Sequence, residues 1–209
     1  MKLVLYDYWR SSASYRVRIA LALKGVTYER VAVNLLAAEQ LAPENRARNP
    51  QGQVPTLAVD GVPLIQSLAI IDWLDTAFPE PRLIPAEPLP RARALAQALI
   101  IAADTHPIDN MRVLKRLESQ FGADQAAKDE WYRHWMRLGL DALEAMAGEG
   151  RYLGGDAPGL ADVVLVPQLY NARRFALDLA PYPRLVAIDA ALAELPTFQA
   201  AHPDQVKPA

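Results

Sequence analysis

Short apolar runs alternate with amphipathic stretches through the first eighty residues, and the two periods assign the elements. Residues 2–6 form an apolar run closed by polar side chains, which predicts a strand. Residues 14–24 are good helix formers, with Ser11 or Ser12 placed to cap them and Gly25 to stop them. Residues 28–33 alternate and carry β-branched side chains, a second strand. Residues 37–48 read as a weaker, polar helix. Residues 54–60 and 62–65 flank Asp60-Gly61, a strong hairpin signal. Residues 67–78 follow as an apolar-striped helix opened by a capping serine, Ser67. The order βαβαββα suits a mixed four-stranded sheet with helices packed on it.

Five of the 17 prolines (Pro79, Pro81, Pro85, Pro88 and Pro90) then crowd together, a density that predicts an extended linker without helix. Beyond it the chain is rich in Ala, Leu and Arg, with helical periodicity and almost no strand signal. Helices are predicted at about 91–105, 108–120, 124–147, 160–178 and 184–194, with Pro107 kinking or breaking the first. The expected organisation is an α/β domain over 1–80, a linker over 81–90 and an all-α domain over 91–209.

Composition narrows the chemistry. The 209 residues are 52% hydrophobic and 22% charged, ordinary for a globular chain, and include no cysteine. That excludes a disulfide scaffold, a thiolate metal site and a cysteine nucleophile, so any thiol chemistry must arrive with a ligand. The 22 basic and 24 acidic residues leave a net charge of −2, without the basic stripe of a nucleic-acid binder. Asp7 interrupts the apolar start where a signal peptide would continue, and no apolar stretch reaches the roughly 18–20 residues that span a bilayer. A cytoplasmic protein is expected. His106, His134 and His202 are too scattered to predict a metal site.

Three short segments carry candidate chemistry. Arg10-Ser11-Ser12-Ala13-Ser14-Tyr15-Arg16 lies on a strand-to-helix turn. Any one serine there is an ordinary cap, but helix N-termini also favour anions, and a hydroxyl among them can donate to a thiolate. Gln53-Val54-Pro55 opens the third strand. Pro55 is ordinary at a strand's first residue; a cis bond before it would turn the Val54 backbone toward an extended peptide ligand. Both isomers are compatible with the sequence. Gln66-Ser67, at the next helix start, serves equally as a cap or as a carboxylate site.

Together these segments resemble the zeta class of the glutathione transferase superfamily, the family of maleylacetoacetate and maleylpyruvate isomerases. Ser-Ser-x-Ser-x-Arg-Val-Arg-Ile-Ala-Leu, from Ser11 to Leu21, is similar to its signature, and Leu23-Lys24-Gly25, Asn49-Pro50, Val166-Pro167-Gln168, Arg174-Phe175 and Tyr182-Pro183 extend the likeness along nearly the whole chain. The resemblance implies a thioredoxin-like glutathione-binding domain, a helical substrate-binding domain, glutathione as cofactor and a homodimer. It implies that Ser11 activates the thiol, with Ser12 and Arg10 beside it. Val54 would pair through its backbone with the cysteinyl part of glutathione, with Gln53 and Pro55 beside it as binding residues, while Gln66 and Ser67 would hold its γ-glutamyl end and Gln40 its glycyl end. His106 and Asn110 would close over the tripeptide, while Arg10, Arg112 and Arg174 would grip the carboxylates of the substrate. The implied activity is conversion of maleylacetoacetate to fumarylacetoacetate by reversible thiolate addition.

The alternatives are isomerisation of maleylpyruvate, a general zeta-class transferase, and a non-catalytic interaction module. Two departures from the family pattern bear on them. Ala13 stands where these isomerases usually carry cysteine, so Ser11 and the helix terminus must suffice. His106-Pro107 and the additional Arg112 resemble the maleylpyruvate isomerases more. A third is Gly159, where a hydroxyl cap is usual; with Asp162 three residues on, it is read as a structural turn.

Overall fold

Alternate residues of β1 (Leu3–Asp7) face inward, so Leu3, Leu5 and Asp7 are buried. β2 (Glu29–Ala32) pairs parallel to β1. On its other side β3 (Thr56–Val59) runs antiparallel, and β4 (Val62–Ile65) pairs antiparallel with β3, giving the order β2-β1-β3-β4 in this computed structural model. Asp60 and Gly61 both take positive φ, 47° and 87°, as the two-residue turn between β3 and β4 requires. The core of this unit comes from α1 (Ser12–Leu23), which buries Val17, Ile19, Ala20 and Leu21, and α3 (Ser67–Ala77), which buries Ile70, Ile71 and Leu74. Lys24 ties the end of α1 to the end of α3: its Nζ donates to Asp75 Oδ1 at 2.6 Å and to the carbonyls of Phe78 and Pro81.

The structure describes residues 1–208, and the chain divides into two compact units. The first joins Met1–Leu83 to the segment from Ala193 onward; the second is Ile84–Leu192. This differs from the division expected from sequence, which left the end of the chain with the helical part. The reason is a buried charge. Asp7 accepts from Arg18 Nη1 at 2.6 Å and Arg30 Nε at 2.7 Å, and the same guanidinium groups donate to Ala201 and Val206 carbonyls. These two carbonyls lie in α9 (Pro196–Ala201) and α10 (Pro203–Val206), and Phe198 of α9 is buried.

In the second unit, α4 (Pro88–Leu99) starts inside the segment read as linker. Its two prolines fall in the first turn, where no N–H is needed for a helical bond, so they are tolerated there. The helix ends in a π-turn (Ile100–Thr105), with His106 N–H donating to Ile101 O at 2.8 Å just before Pro107. α5 (Met111–Phe121) and α6 (Gln125–Met146) follow. Gly139 of α6 leaves room that any Cβ would take from Thr105 of the π-turn. α7 (Leu160–Arg174) is apolar nearly all round and buried over most of its length, with α8 (Pro183–Ala193) after it. The polar helix expected at 37–48 is instead a 3-10 turn (Glu39–Leu41) and a short α2 (Pro43–Arg48), since Ala38 has φ +58° and Pro43 restarts the helix.

Candidate active site

Strand register gathers the candidates of the first unit. Tyr6 pairs with Thr56, and Thr56 pairs with Ile65. The chain leaving β1 toward Ser11, the chain entering β3 from Val54 and the chain leaving β4 into Gln66 and Ser67 are therefore at one end of the sheet. β2 is parallel to β1, with Ala32 opposite Asp7, so it leads toward Gln40 at that same end.

Ser11 is the N-cap of α1: φ −68° and ψ 123° are extended, and its Oγ accepts the Ser14 N–H at 3.3 Å. Its side chain is half-buried, and Ser12 is buried beside it. No acidic residue occupies the first turn, so no side chain of that turn neutralises the partial positive charge of the helix start. Arg10 is half-buried, its guanidinium 5.4 Å from the Trp9 ring centre. The Val54–Pro55 bond is cis. Gln53 O accepts from Asn49 Nδ2 at 3.0 Å, whereas the Val54 N–H and C=O meet no hydrogen-bond partner among the described residues. They can pair with an extended peptide.

Ser67 is not the helix cap that the sequence pattern predicts. Gln66 takes the cap position, at φ 70° and ψ 117°, makes no capping bond and gives its Nε2 to Gln51 Oε1 at 2.7 Å. A non-glycine residue held at positive φ is a strained feature that clusters at ligand sites. Ser67 becomes the first helical residue, buried, with its Oγ accepting from Arg16 Nη1 at 3.3 Å. Gln40 is buried in the 3-10 turn, and its Oε1 has no hydrogen-bond partner among the described residues.

The remaining candidates belong to the second unit. His106 is half-buried after the π-turn, and Asn110 caps α5 by accepting the Arg112 N–H at 3.0 Å. Arg112 is exposed at the start of α5. Arg174 is exposed at the end of α7, where its Nη1 donates to Asn171 Oδ1 at 2.9 Å.

Residues 1–76 match the glutathione S-transferase N-terminal domain and residues 125–188 its C-terminal domain. Maleylacetoacetate isomerase of Rhizobium meliloti is 50% identical over 98% of this chain and 98% of its own, and maleylpyruvate isomerase of a Ralstonia species is 49% identical over 95% and 96%. This chain belongs to the zeta class of the glutathione S-transferase family. Its fold, a thioredoxin-like unit and a helical unit, is that of the solved holo maleyl pyruvate isomerase of the zeta class, with a TM-score of 0.96 and 48% identity over 99% of both chains. Maleylacetoacetate isomerase of Anaeromyxobacter dehalogenans, solved with GSH bound in its active site, has a TM-score of 0.89 and 50% identity over 100% of this chain and 98% of its own.

Two residues of this zeta-class chain received no role in the sequence reading. Arg16 stands in the signature segment, but only the fold brings it to Ser67, 51 residues away. Asp109 is buried, and neither of its carboxyl oxygens meets a donor among the described residues. Burial pushes its pKa up to about 8. An acid two residues after a proline, beside a capping Asn, was the available signal; its burial was not.

Proposed function

We propose that this chain is a glutathione-dependent cis–trans isomerase that converts maleylacetoacetate to fumarylacetoacetate. The observation carrying the reading is the gathering of Ser11, Val54 and Ser67 at one end of the sheet, with hydrogen-bonding groups open there. The residues fit glutathione. Val54 would pair with its cysteinyl backbone, with Gln53 and Pro55 shaping the turn. Gln66 and Ser67 would hold the γ-glutamyl end, Gln40 the glycyl end, and His106 and Asn110 would complete the enclosure.

When bound, glutathione supplies a thiolate that adds reversibly to the activated double bond, so that the bond can turn before the thiolate leaves. The chain's own part is electrostatic. Ser11 Oγ already accepts from Ser14 N–H, so its own hydrogen is the one left to give, and an anionic sulfur is a favourable acceptor. The start of α1, with Ser12 in its first turn, adds partial positive charge and favours the ionised thiol. Arg10, Arg112 and Arg174 would hold the two substrate carboxylates in two-pronged fashion while the middle of the molecule turns.

The test is loss of the cis-enone absorbance with purified protein and glutathione. Ser11→Ala should cut turnover by about 100-fold, the usual effect of deleting one donor to a developing anion. Retention on immobilised glutathione without turnover of either diacid would overturn the isomerase in favour of a binding module. Maleylpyruvate is a second reading, favoured by the exposed Arg112 at the start of α5. On it, Arg112→Ala lowers kcat/KM for the shorter diacid more than for the longer.

The working form in this reading is a homodimer. Leu89 and Leu99 of α4 and Phe121 of α5 are exposed at 61%, 43% and 70%, apolar surface that a second copy would cover. Sedimentation analysis should give twice the chain mass of 23.1 kDa. No helix among the described residues is long and apolar enough to cross a membrane. We place the reaction in the cytoplasm, where its thiol is kept reduced.

A further inference from the structure

Arg16 and Arg18 leave the same helix in different directions and do different work. Arg18 meets Asp7 and secures the end of the chain. Arg16 turns toward α3. The residue is 2% exposed, and its Nη1 donates to Ser67 Oγ at 3.3 Å across 51 residues of sequence. A hydroxyl has one hydrogen and two lone pairs, and a guanidinium can only donate. Ser67 Oγ therefore receives a hydrogen bond from the protein interior and must send its own hydrogen elsewhere. The start of α3 also has no side-chain cap, because Gln66 turns its amide to Gln51. The first N–H groups of α3, the Ser67 O–H and the charge behind it are all of the polarity that suits an anion.

We infer that Arg16 is a positioning residue for the α-carboxylate of the γ-glutamyl group: held behind Ser67, it commits that hydroxyl to donate outward and places a fixed positive charge one hydrogen bond further back. This rests on the reading of the sheet end as a glutathione site. Arginine suits the role because its planar fork stays charged inside the protein, so Ser67 remains a donor at every working pH. Lysine would keep the charge but not the direction of the bond.

The experiment is calorimetric titration of wild type, Arg16→Gln and Arg16→Lys with two ligands. One is glutathione; the other is 4-aminobutyryl-cysteinylglycine, which lacks only the α-carboxylate. Wild type should bind glutathione the more tightly. Arg16→Gln should weaken glutathione by about 10- to 100-fold, the range for a hydrogen bond to a charged group, and change the analogue by less than about twofold. Equal loss for both ligands would make Arg16 a support of the fold alone and overturn the inference, as would no loss for either. If circular dichroism shows Arg16→Gln unfolded, Arg16→Lys decides by the same comparison: loss confined to glutathione supports the inference, and loss shared by both ligands overturns it. Wild type binding neither ligand would remove the glutathione reading itself. Wild type binding both with equal affinity would leave that reading standing and overturn only the role of Arg16.

Discussion

A buried carboxyl with no donor nearby is costly when ionised, and Asp109 meets that cost by keeping its proton. Its pKa, pushed up to about 8, lies far above the ordinary 3.8 that the unfolded chain would have. Between these values the folded protein holds a proton that the unfolded chain has released, so this group's contribution to stability falls as pH rises from about 4 to about 8 and is level above that. The slope is at most about 1.4 kcal/mol per pH unit. Asp109→Asn keeps the shape of the neutral acid and removes the titration. Thermal melts should show the variant gaining on wild type as pH rises, with a larger difference at pH 8 than at pH 5. A difference constant across that range would show that Asp109 is ionised in the folded protein. Its neighbours give the effect a place: Ile108 O accepts from Trp131 Nε1, and Asn110 caps α5, so the segment held at this point also bears His106 and Arg112.

At the scale of elements, the start of α7 depends on one carboxylate doing three jobs. Asp162 accepts from Leu153 N–H at 2.8 Å through Oδ1, and from Gly154 and Gly159 N–H at 3.0 and 2.9 Å through Oδ2. Burial raises its pKa while these backbone donors oppose the rise. Asparagine has one oxygen and would set its amide hydrogens against a backbone N–H, so Asp162→Asn should cost about 2–4 kcal/mol in urea unfolding. Gly154→Ala should fail nearby for a different reason: its Cβ would stand 2.8 Å from Ala157 O and 2.9 Å from Gly159 N. This turn was legible from Gly159 and Asp162 because its signals are three residues apart. The strands and the Asp60-Gly61 hairpin were legible for the same reason, since alternation and turn chemistry are local. Position within an element decided what was not. Pro88 and Pro90 sit in a helix's first turn instead of ending one, and Ser67 stands one residue inside the cap, because Gln66 takes positive φ. No local pattern sets Arg16 against Ser67.

Across the whole molecule, the least legible feature was the return of the chain's end to its first unit, which long-range hydrogen bonds specify. Arg18 Nε donates to Ala201 O at 3.1 Å, Arg30 Nη1 to Val206 O at 2.5 Å, and both guanidinium groups share Asp7. Phe198 is 2% exposed, and α9 packs on α1, the helix that begins at the Ser11 cap. Deleting residues 195–209 removes no proposed ligand contact. It nevertheless strips one carbonyl acceptor from the buried Arg18 and another from the half-buried Arg30, and loss of the Phe198 side chain alone is worth about 3–5 kcal/mol by analogy with Phe→Ala in protein cores. The truncated chain should therefore bind immobilised glutathione weakly or not at all and unfold at lower urea concentration. Phe198→Ala should shift both measurements in the same direction by a smaller amount. If truncation lowers the unfolding midpoint and leaves glutathione retention intact, the Ser11 turn does not depend on α9 for its geometry. If neither measurement moves, the buried Asp7 cluster is stable with Arg18 and Arg30 alone, and the chain's end is dispensable to the unit it packs on.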